Sequence, residues 1–344
     1  MRRELVDLLV DPTTRGPLRL ESGDGEEIRA GTLLAESGMS YPIRDGIPRL
    51  LPVVEADQDQ TARSFGFKWS RRDSYGSPSA RRYYDEWIVA RYGFESRDAM
   101  ARFFDDKRTL DAGCGSGFSA AVWLDEDARG DYVGADISDA VDIAQETFGH
   151  LPGTSFVQAD LMALPFADET FDVVFSEGVL HHTPSTRGAL ASVARVLRPG
   201  GDMLFYVYRK KAPIREFTDD YLRDILSGLP EEEAWEALRP LTELGKALSD
   251  LHVEVDVPND VPLLGIAKGR HDVQRLVYWH FAKMYWNDDL AFEENLHANF
   301  DWYHPRYAHR QTEEQVRAWC VEESLVIEHI DVQESGISVR ARKT

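Results

Sequence analysis

The chain has 344 residues, enough to bury a full core and to build more than one unit; it carries 39 Lys and Arg against 60 Asp and Glu, a formal charge of −21. Such a surface repels a phosphate backbone at long range, and the basic clusters, Arg71-Arg72 and Arg81-Arg82, are too short to make a counter-face. Two cysteines, Cys114 and Cys320, make neither a disulfide scaffold nor a four-thiolate zinc site, and no long apolar run or leader pattern follows Met1-Arg2-Arg3-Glu4, so a cytoplasmic protein without nucleic-acid, membrane or metal partners is expected.

Leu5 to Leu9 reads as a short helix that Asp11-Pro12 ends. Gly16-Pro17-Leu18-Arg19-Leu20, a polar turn at Ser22 to Glu27, and the run Met39 to Pro48 mix glycine and proline with alternating apolar residues. That pattern predicts a small β-rich unit over residues 1–55. The block resembles the zinc-ribbon-like domain of the Trm112 type, which often precedes bacterial methyltransferases. That family has cysteines where Asp11 and Thr14 stand here, so the resemblance implies the shape without the metal. An unrelated small β cap fits the same pattern.

Residues 56–108 follow as linker and helices. Ala56 to Thr61 is polar and reads as a linker, and Ser64-Phe65-Gly66-Phe67-Lys68-Trp69 comes next. Arg81 to Tyr92 is expected as a helix with Tyr84, Trp87, Ile88 and Tyr92 on one face, and Met100 to Phe104 as part of another.

From Thr109 to Tyr208 strands and helices alternate, which argues for a parallel sheet with helices on both faces. Leu110-Asp111-Ala112-Gly113-Cys114-Gly115-Ser116-Gly117-Phe118 reads as a strand end, a glycine turn and the start of a helix. Gly113 and Gly115 allow a sharp turn and close approach of a ligand to bare backbone, Gly117 allows tight helix–strand packing, and a helix start offers unpaired N–H groups. Asp111 adds a carboxylate there, which repels a diphosphate but suits a ligand carrying an amino group and a sulfonium. Tyr132-Val133-Gly134-Ala135-Asp136 is a second strand ending in an acid, placed to accept from the hydroxyls of a ribose. Phe156 to Leu161 is a third strand, ending in Asp160-Leu161, and Phe171 to Ser176 a fourth, followed by Glu177-Gly178-Val179-Leu180-His181-His182. Leu197-Arg198-Pro199-Gly200-Gly201 turns into a fifth, Met203 to Tyr208.

This series closely resembles the class I S-adenosylmethionine-dependent methyltransferases of the branch with small-molecule acceptors, over about Phe65 to Tyr208 and again near the C-terminus. The resemblance implies an α/β Rossmann-like sheet, parallel but for an antiparallel last hairpin, with S-adenosylmethionine as cofactor and S-adenosylhomocysteine as its product. It implies that Asp111 and the backbone of Gly113, Cys114, Gly115 and Gly117 hold the methionine part. Asp136 binds the ribose with Ile137 against the adenine, Asp160 meets the adenine amino group with Leu161 on the ring, and Glu177 lies beneath the sulfonium. It also implies that the segment before the first core strand folds over the cofactor, with Phe67 and Trp69 closing the site; as residues alone, the two fit ordinary core aromatics equally well.

Residues 212–311 form an insertion too large for a loop. Pro213 to Leu229, Glu231 to Ser249 and Val273 to Trp286 are expected as helices, with a break at Pro258-Asn259-Asp260-Val261-Pro262. Its aromatic residues follow strand five, at the sheet edge where ligands bind, so it reads as a lid and acceptor pocket. Tyr208, Tyr285, Trp302, Tyr303 and Tyr307 are the candidate acceptor contacts, and His304, Arg306 and Arg310 are placed to grip a carboxylate, although a surface loop paired with nearby acids fits as well. His181, His182 and His304 are the candidate bases for an acceptor that must lose a proton. Thr312-Glu313-Glu314-Gln315 signals a capping box opening a helix to about Glu323. Leu325 to Val332 and Ile337 to Arg342 then pair as a hairpin that completes, with residues 109–211, the core over 312–344.

The function expected is methyl transfer to an oxygen, nitrogen or carbon atom of a small, carboxylate-bearing acceptor. The alternatives are a peptide or protein methyltransferase that uses the N-terminal unit as a partner platform, and a non-catalytic binder of the cofactor. The insertion and the N-terminal unit are the candidate surfaces for a homo-oligomer.

Overall fold

The computed structural model describes residues 1–344 other than Asp24, Glu26 and Val54, so the expected turn at 22–27 lies partly outside the described residues. Alternation writes the first strands. After a 3-10 turn at Arg3–Leu8, β1 (Leu18–Ser22), β2 (Gly31–Ala35), β3 (Ser40–Arg44) and β4 (Ile47–Leu50) pair as an antiparallel meander. Tyr41 and Ile43 point inward while Ser40, Pro42 and Arg44 face water, the period-two pattern of a half-buried strand. Asp45 and Gly46, both at positive φ, make the tight β3–β4 turn.

Asp11 organises this unit. Its buried carboxylate accepts from the Thr13 amide (3.0 Å) and from the hydroxyls of Thr14 (2.8 Å), Ser37 (3.2 Å) and Tyr41 (2.7 Å). The two positions that carry cysteines in the resembling family are thus joined by a hydrogen bond. Among the described residues no group of three or more His, Cys, Asp or Glu side chains is placed to hold a metal ion.

The next segment corrects one expectation. Ala56–Ser70 is a single helix, α1, where a linker is predicted at its start. Its buried residues, Gln58, Thr61, Ser64 and Lys68, recur at helical spacing but are polar, so hydropathy alone hides the stripe. α2 (Pro78–Arg91) and α3 (Arg97–Phe104) each start on a serine, Ser77 and Ser96, whose hydroxyl accepts the amide three residues on.

The parallel core follows: β5 (Lys107–Ala112), β6 (Gly130–Asp136), α4 (Ala140–Phe148), β7 (Thr154–Ala159), β8 (Phe171–Glu177), α5 (Thr186–Val196) and β9 (Leu197–Tyr208). The helix expected after the glycine turn is absent; Ala120–Val122 is one 3-10 turn. The β5–β6 connection is as long as the β6–β7 connection that holds α4, so length does not forbid a helix there; its glycines at 113, 115 and 117 all take positive φ, which an α-helix cannot use. The turn's amides are spent within the chain: Gly113 and Cys114 donate to the Ala135 carbonyl, Gly117 to that of Cys114, and Gly115 to Asp136.

The insertion contributes α6 (Pro213–Leu226), α7 (Glu231–Ser249), the small hairpin β10 (Glu254–Val257) and β11 (Gly269–Asp272), α8 (Val273–His280) and α9 (Phe292–Tyr303). The helix expected to reach Trp286 stops at His280, and α9 and the hairpin are not foreseen in the sequence. α10 (Glu313–Glu322) opens on the predicted capping box, Thr312 with Gln315. β12 (Leu325–Val332) and β13 (Gly336–Lys343) close the chain as an antiparallel hairpin.

One sheet of eleven strands results, in the order β1-β2-β3-β4-β7-β6-β5-β8-β9-β13-β12. β4 to β9 run parallel where they pair, and β13 is antiparallel to β9. The N-terminal unit is continuous with the core, since β4 pairs with β7 through Arg49–Gln158 and Leu50–Ala159. Two apolar layers cover the core strands. Leu110, Val174 and Phe205 pack with α5 and α10 on one face; Val173, Phe175 and Leu204 pack with α2, α3 and α4 on the other. A third cluster joins Tyr206 and Tyr208 of β9 to Trp235, Phe300 and Trp302 of the insertion. Strand order reverses direction at β5, which has β6 on one side and β8 on the other. The carboxyl ends of such strands open a crevice, the usual ligand position in a wound sheet. No described helix is long and apolar enough to cross a membrane.

Candidate functional site

A cavity of about 610 Å³ lies over those carboxyl ends. Its floor holds Gly113 after β5, Asp136 and Ile137 after β6, Asp160 and Leu161 after β7, and Glu177 after β8. α1 and α2 form one side through Lys68, Trp69, Tyr84 and Trp87, and the insertion roofs the rest through Tyr278, Tyr285, His297, Asp301 and Trp302.

The three floor acids are differently partnered; Asp136 and Asp160 are buried and Glu177 is half-buried. Asp136 Oδ1 accepts from the Ser138 amide (2.8 Å) and hydroxyl (2.6 Å), and Oδ2 from the Gly115 amide (2.8 Å). A carboxylate has about four acceptor positions, so one on Oδ2 stays free for a ligand hydroxyl. Asp160 Oδ1 accepts from the Met162 amide at 2.8 Å. Glu177 is clamped by Arg91 and by the Tyr92 hydroxyl (2.5 Å), and the Arg91 guanidinium lies between the rings of Trp87 and Tyr206, 3.4 and 3.8 Å from their centres. Burial pushes all three carboxyls up, against those hydrogen bonds and, for Glu177, against Arg91.

Trp69 stands over the glycine turn. A Cβ on Gly115, whose φ is +52°, would come within 2.6 Å of the Trp69 indole nitrogen. Opposite it, Lys68 pairs with Asp301, which also accepts the Tyr208 hydroxyl at 2.6 Å. Burial alone would raise the Asp301 carboxyl; Lys68 above all, with Lys283, holds it far below the usual range.

His182 is on the wall. Its Nδ1 meets the Tyr307 carbonyl at 2.6 Å, and its Nε2 is buried with no partner. A carbonyl only accepts, so the ring proton sits on Nδ1 and Nε2 presents a lone pair. Burial lowers this imidazole to about 4, so it is neutral at physiological pH.

Of the other residues singled out in the sequence, Tyr208, Tyr285 and Trp302 line the cavity. The rest do not. Asp111 points away from it and accepts the Tyr132 hydroxyl at 2.7 Å. Cys114, Gly115 and Gly117 form the layer behind Gly113, and both cysteines are free buried thiols. Phe67 packs on Trp235 and Phe300 in the insertion core. His181 is buried behind His182, its ring 3.7 Å from that of Tyr208, with neither nitrogen partnered. His304 bonds Ser64 (2.8 Å) and the Leu229 carbonyl (3.2 Å), tying α1 to the insertion. Tyr303 donates to Asp219 (3.0 Å), and the Tyr307 ring stacks on His309. Arg306 pairs with Asp224 (2.8 Å), and Arg310 with Glu216 (3.0 Å) and Asp220 (2.5 Å). The carboxylate grip expected of His304, Arg306 and Arg310 is therefore corrected: an acidic chain supplies their partners itself.

Sequence reasoning missed Lys68, Arg91, Lys211, Lys283 and Asp301. Only the polar stripe of α1 and the run opening at Asp301 carried any signal, because each of these residues acquires its role from a partner far away in the chain.

Residues 110–205 match the family model described as a methyltransferase domain. Phthiotriol/phenolphthiotriol dimycocerosates methyltransferase 1 of Mycobacterium ulcerans is 37% identical over 128 residues, covering 37% of this chain and 47% of that protein. Fatty-acid O-methyltransferase of Mycolicibacterium smegmatis is 36% identical over 114 residues, covering 33% of this chain and 41% of that one. The chain thus spans about half the length of these curated relatives. Among solved structures, magnesium protoporphyrin IX methyltransferase of Synechocystis with bound S-adenosylhomocysteine aligns at a TM-score of 0.44 and 14% identity, over 84% of this chain and all of that one.

Proposed function

We propose that the protein is an S-adenosylmethionine-dependent methyltransferase acting on a small acceptor held inside the cavity. The observation that carries this reading is the floor itself: Asp160, Asp136 and Glu177 stand at the ends of β7, β6 and β8, with the bare backbone of Gly113 at the end of β5 between the last two. Three acids along one cavity floor disfavour a diphosphate and suit a nucleoside that bears an amino group and a positive sulfur. The matched domain over residues 110–205 supports the same reading.

In it, the free position of Asp136 Oδ2 accepts a ribose hydroxyl, and Ile137 and Leu161 flank the base near Asp160. The donor supplies an electrophilic methyl group on a sulfonium. Glu177, held rigid by Arg91 and Tyr92, faces that positive charge. Trp69 and Lys68 shield the site from water, and the aromatic roof holds the acceptor in line; positioning of this kind is worth several kcal/mol. His182 Nε2 accepts a hydrogen bond from an acceptor hydroxyl or amine and so orients it toward the methyl group. A cavity roofed by the insertion favours a small acceptor over a folded protein, and the curated relatives are named for phthiotriol dimycocerosates and fatty acids. Residues 1–55 are read as a Trm112-like unit in which hydrogen bonds to Asp11 replace the metal.

The test is turnover with methyl-labelled donor and mixed acceptor pools, after donor binding by calorimetry. Label is expected in a small acceptor. No donor binding, or a nicotinamide or flavin retained in the cavity, overturns the proposal.

A further inference from the structure

Cations that line the cavity fall into two classes. Lys68 and Arg215 each have a carboxylate partner, Asp301 and Asp219. Lys211, Arg275 and Lys283 make no ion pair among the described residues and bond only to backbone carbonyls. Lys211 Nζ donates to the carbonyls of Glu334 and Ser335, the latter at 2.9 Å. Lys283 Nζ donates to that of Ala298 at 2.7 Å, and the residue is 7% exposed. In a chain with 60 acidic residues this is a departure, since acids were available.

These charges converge. Lys211, Arg215 and Lys283 reach the ring of Trp302 at 5.5, 5.2 and 4.8 Å from its centre. They come from separate segments: the end of β9, α6, and the loop after α8. The indole nitrogen of Trp302 is itself buried with no hydrogen-bond partner. Leaving a buried donor unpaired costs stability, and gathering like charges costs more. The strain shows in Lys283, which burial lowers to about 7. Of the nearby acids, Asp219 and Asp301 are already taken by Arg215 and Lys68, and Glu334 gives Lys211 its backbone carbonyl while its carboxylate lies toward Arg209 at 3.9 Å.

We propose that this corner of the cavity, Lys211, Lys283 and the Trp302 indole N–H backed by Arg215, binds an oxyanion carried by the acceptor, a carboxylate or a phosphate, and so selects anionic substrates. The proposal rests on the methyltransferase reading only for the word acceptor; the anion site stands on its own geometry. It replaces Arg306 and Arg310, which the sequence suggested for a carboxylate, with residues that reach the cavity.

The experiment titrates the full-length protein with benzoate, phenyl phosphate and the neutral isostere benzamide, following tryptophan fluorescence and heat. S-adenosylhomocysteine is titrated in parallel samples. At least tenfold tighter binding of benzoate or phenyl phosphate than of benzamide is expected, and the better of the two identifies the oxyanion. Lys283→Met and Lys211→Met are each expected to remove at least tenfold of that preference. Equal affinity for benzoate, phenyl phosphate and benzamide in the unsubstituted protein overturns the proposal without any variant, as does a preference that survives both substitutions. If the anion preference holds while S-adenosylhomocysteine does not bind, the methyltransferase reading fails and the anion site stands.

Discussion

Replacing Asp111 by Asn tests whether the acid behind the glycine turn is held against its charge. Asp111 is 2% exposed; burial, with Asp136 and Glu177 nearby, raises its carboxyl from 3.8 to about 7, while the Tyr132 hydroxyl opposes the shift. Between those two values the native state keeps a proton that the unfolded chain has released. Its contribution to stability is therefore greatest below pH 3.8 and is lost as pH rises through about 7. At about 1.4 kcal/mol per unit, the loss approaches roughly 4 kcal/mol above pH 8, with roughly 2.5 kcal/mol of it falling between pH 5 and pH 8. Asn is neutral throughout and its Oδ1 still accepts from Tyr132, so Asp111→Asn removes the pH-dependent part alone. Any hydrogen bond its new amide group fails to make lowers stability by the same amount at every pH. Denaturant unfolding of both proteins at pH 5, 6.5 and 8 is expected to show the variant gaining about 2.5 kcal/mol relative to the parent across the series. Two profiles that stay parallel within about 0.5 kcal/mol would refute the burial argument.

Asp136→Ala removes the acceptor proposed for the ribose and leaves the Gly115 and Ser138 amides unpaired. Donor affinity measured by calorimetry is expected to fall ten- to a hundredfold, and an unchanged affinity contradicts the assignment. Arg91→Met strands the Glu177 carboxylate in the interior and is expected to cost about 3–5 kcal/mol in denaturant unfolding; adding Glu177→Gln should recover part of that, and strictly additive losses speak against the pair. Elemental analysis of the purified protein is expected to find no stoichiometric zinc, because the Asp11 carboxylate is already filled by its four hydrogen-bond donors, and one equivalent of zinc in residues 1–55 would show that reading wrong.

Much of the fold was legible because it is written locally. The short apolar runs around Leu110, Val133, Val157 and Val174 give strands buried on both faces, glycine gives the turn, and Thr312 with Gln315 gives a helix start, each within a few residues. What failed locally failed for a stated reason. The polar stripe of α1 looks like a linker until the elements it packs against are present. The glycine turn resembles a helix start, but Gly113, Gly115 and Gly117 all take positive φ, and their amides bond back to the Ala135 and Cys114 carbonyls and to Asp136 rather than along a helix.

The site divides along the same line. Sequence by itself determined the row of acids, since Asp136, Asp160 and Glu177 sit at strand ends and parallel strands end side by side. Only the tertiary structure decided what each charged group does, because that depends on partners far off in the chain. Lys68 meets Asp301, Arg91 meets Glu177, and Arg306 and Arg310 are neutralised by acids of the insertion, whereas Lys211 and Lys283 arrive at Trp302 with none. Charge type is local, but pairing and burial are not, and in a low-dielectric cavity those two properties set which cations remain free to hold a ligand.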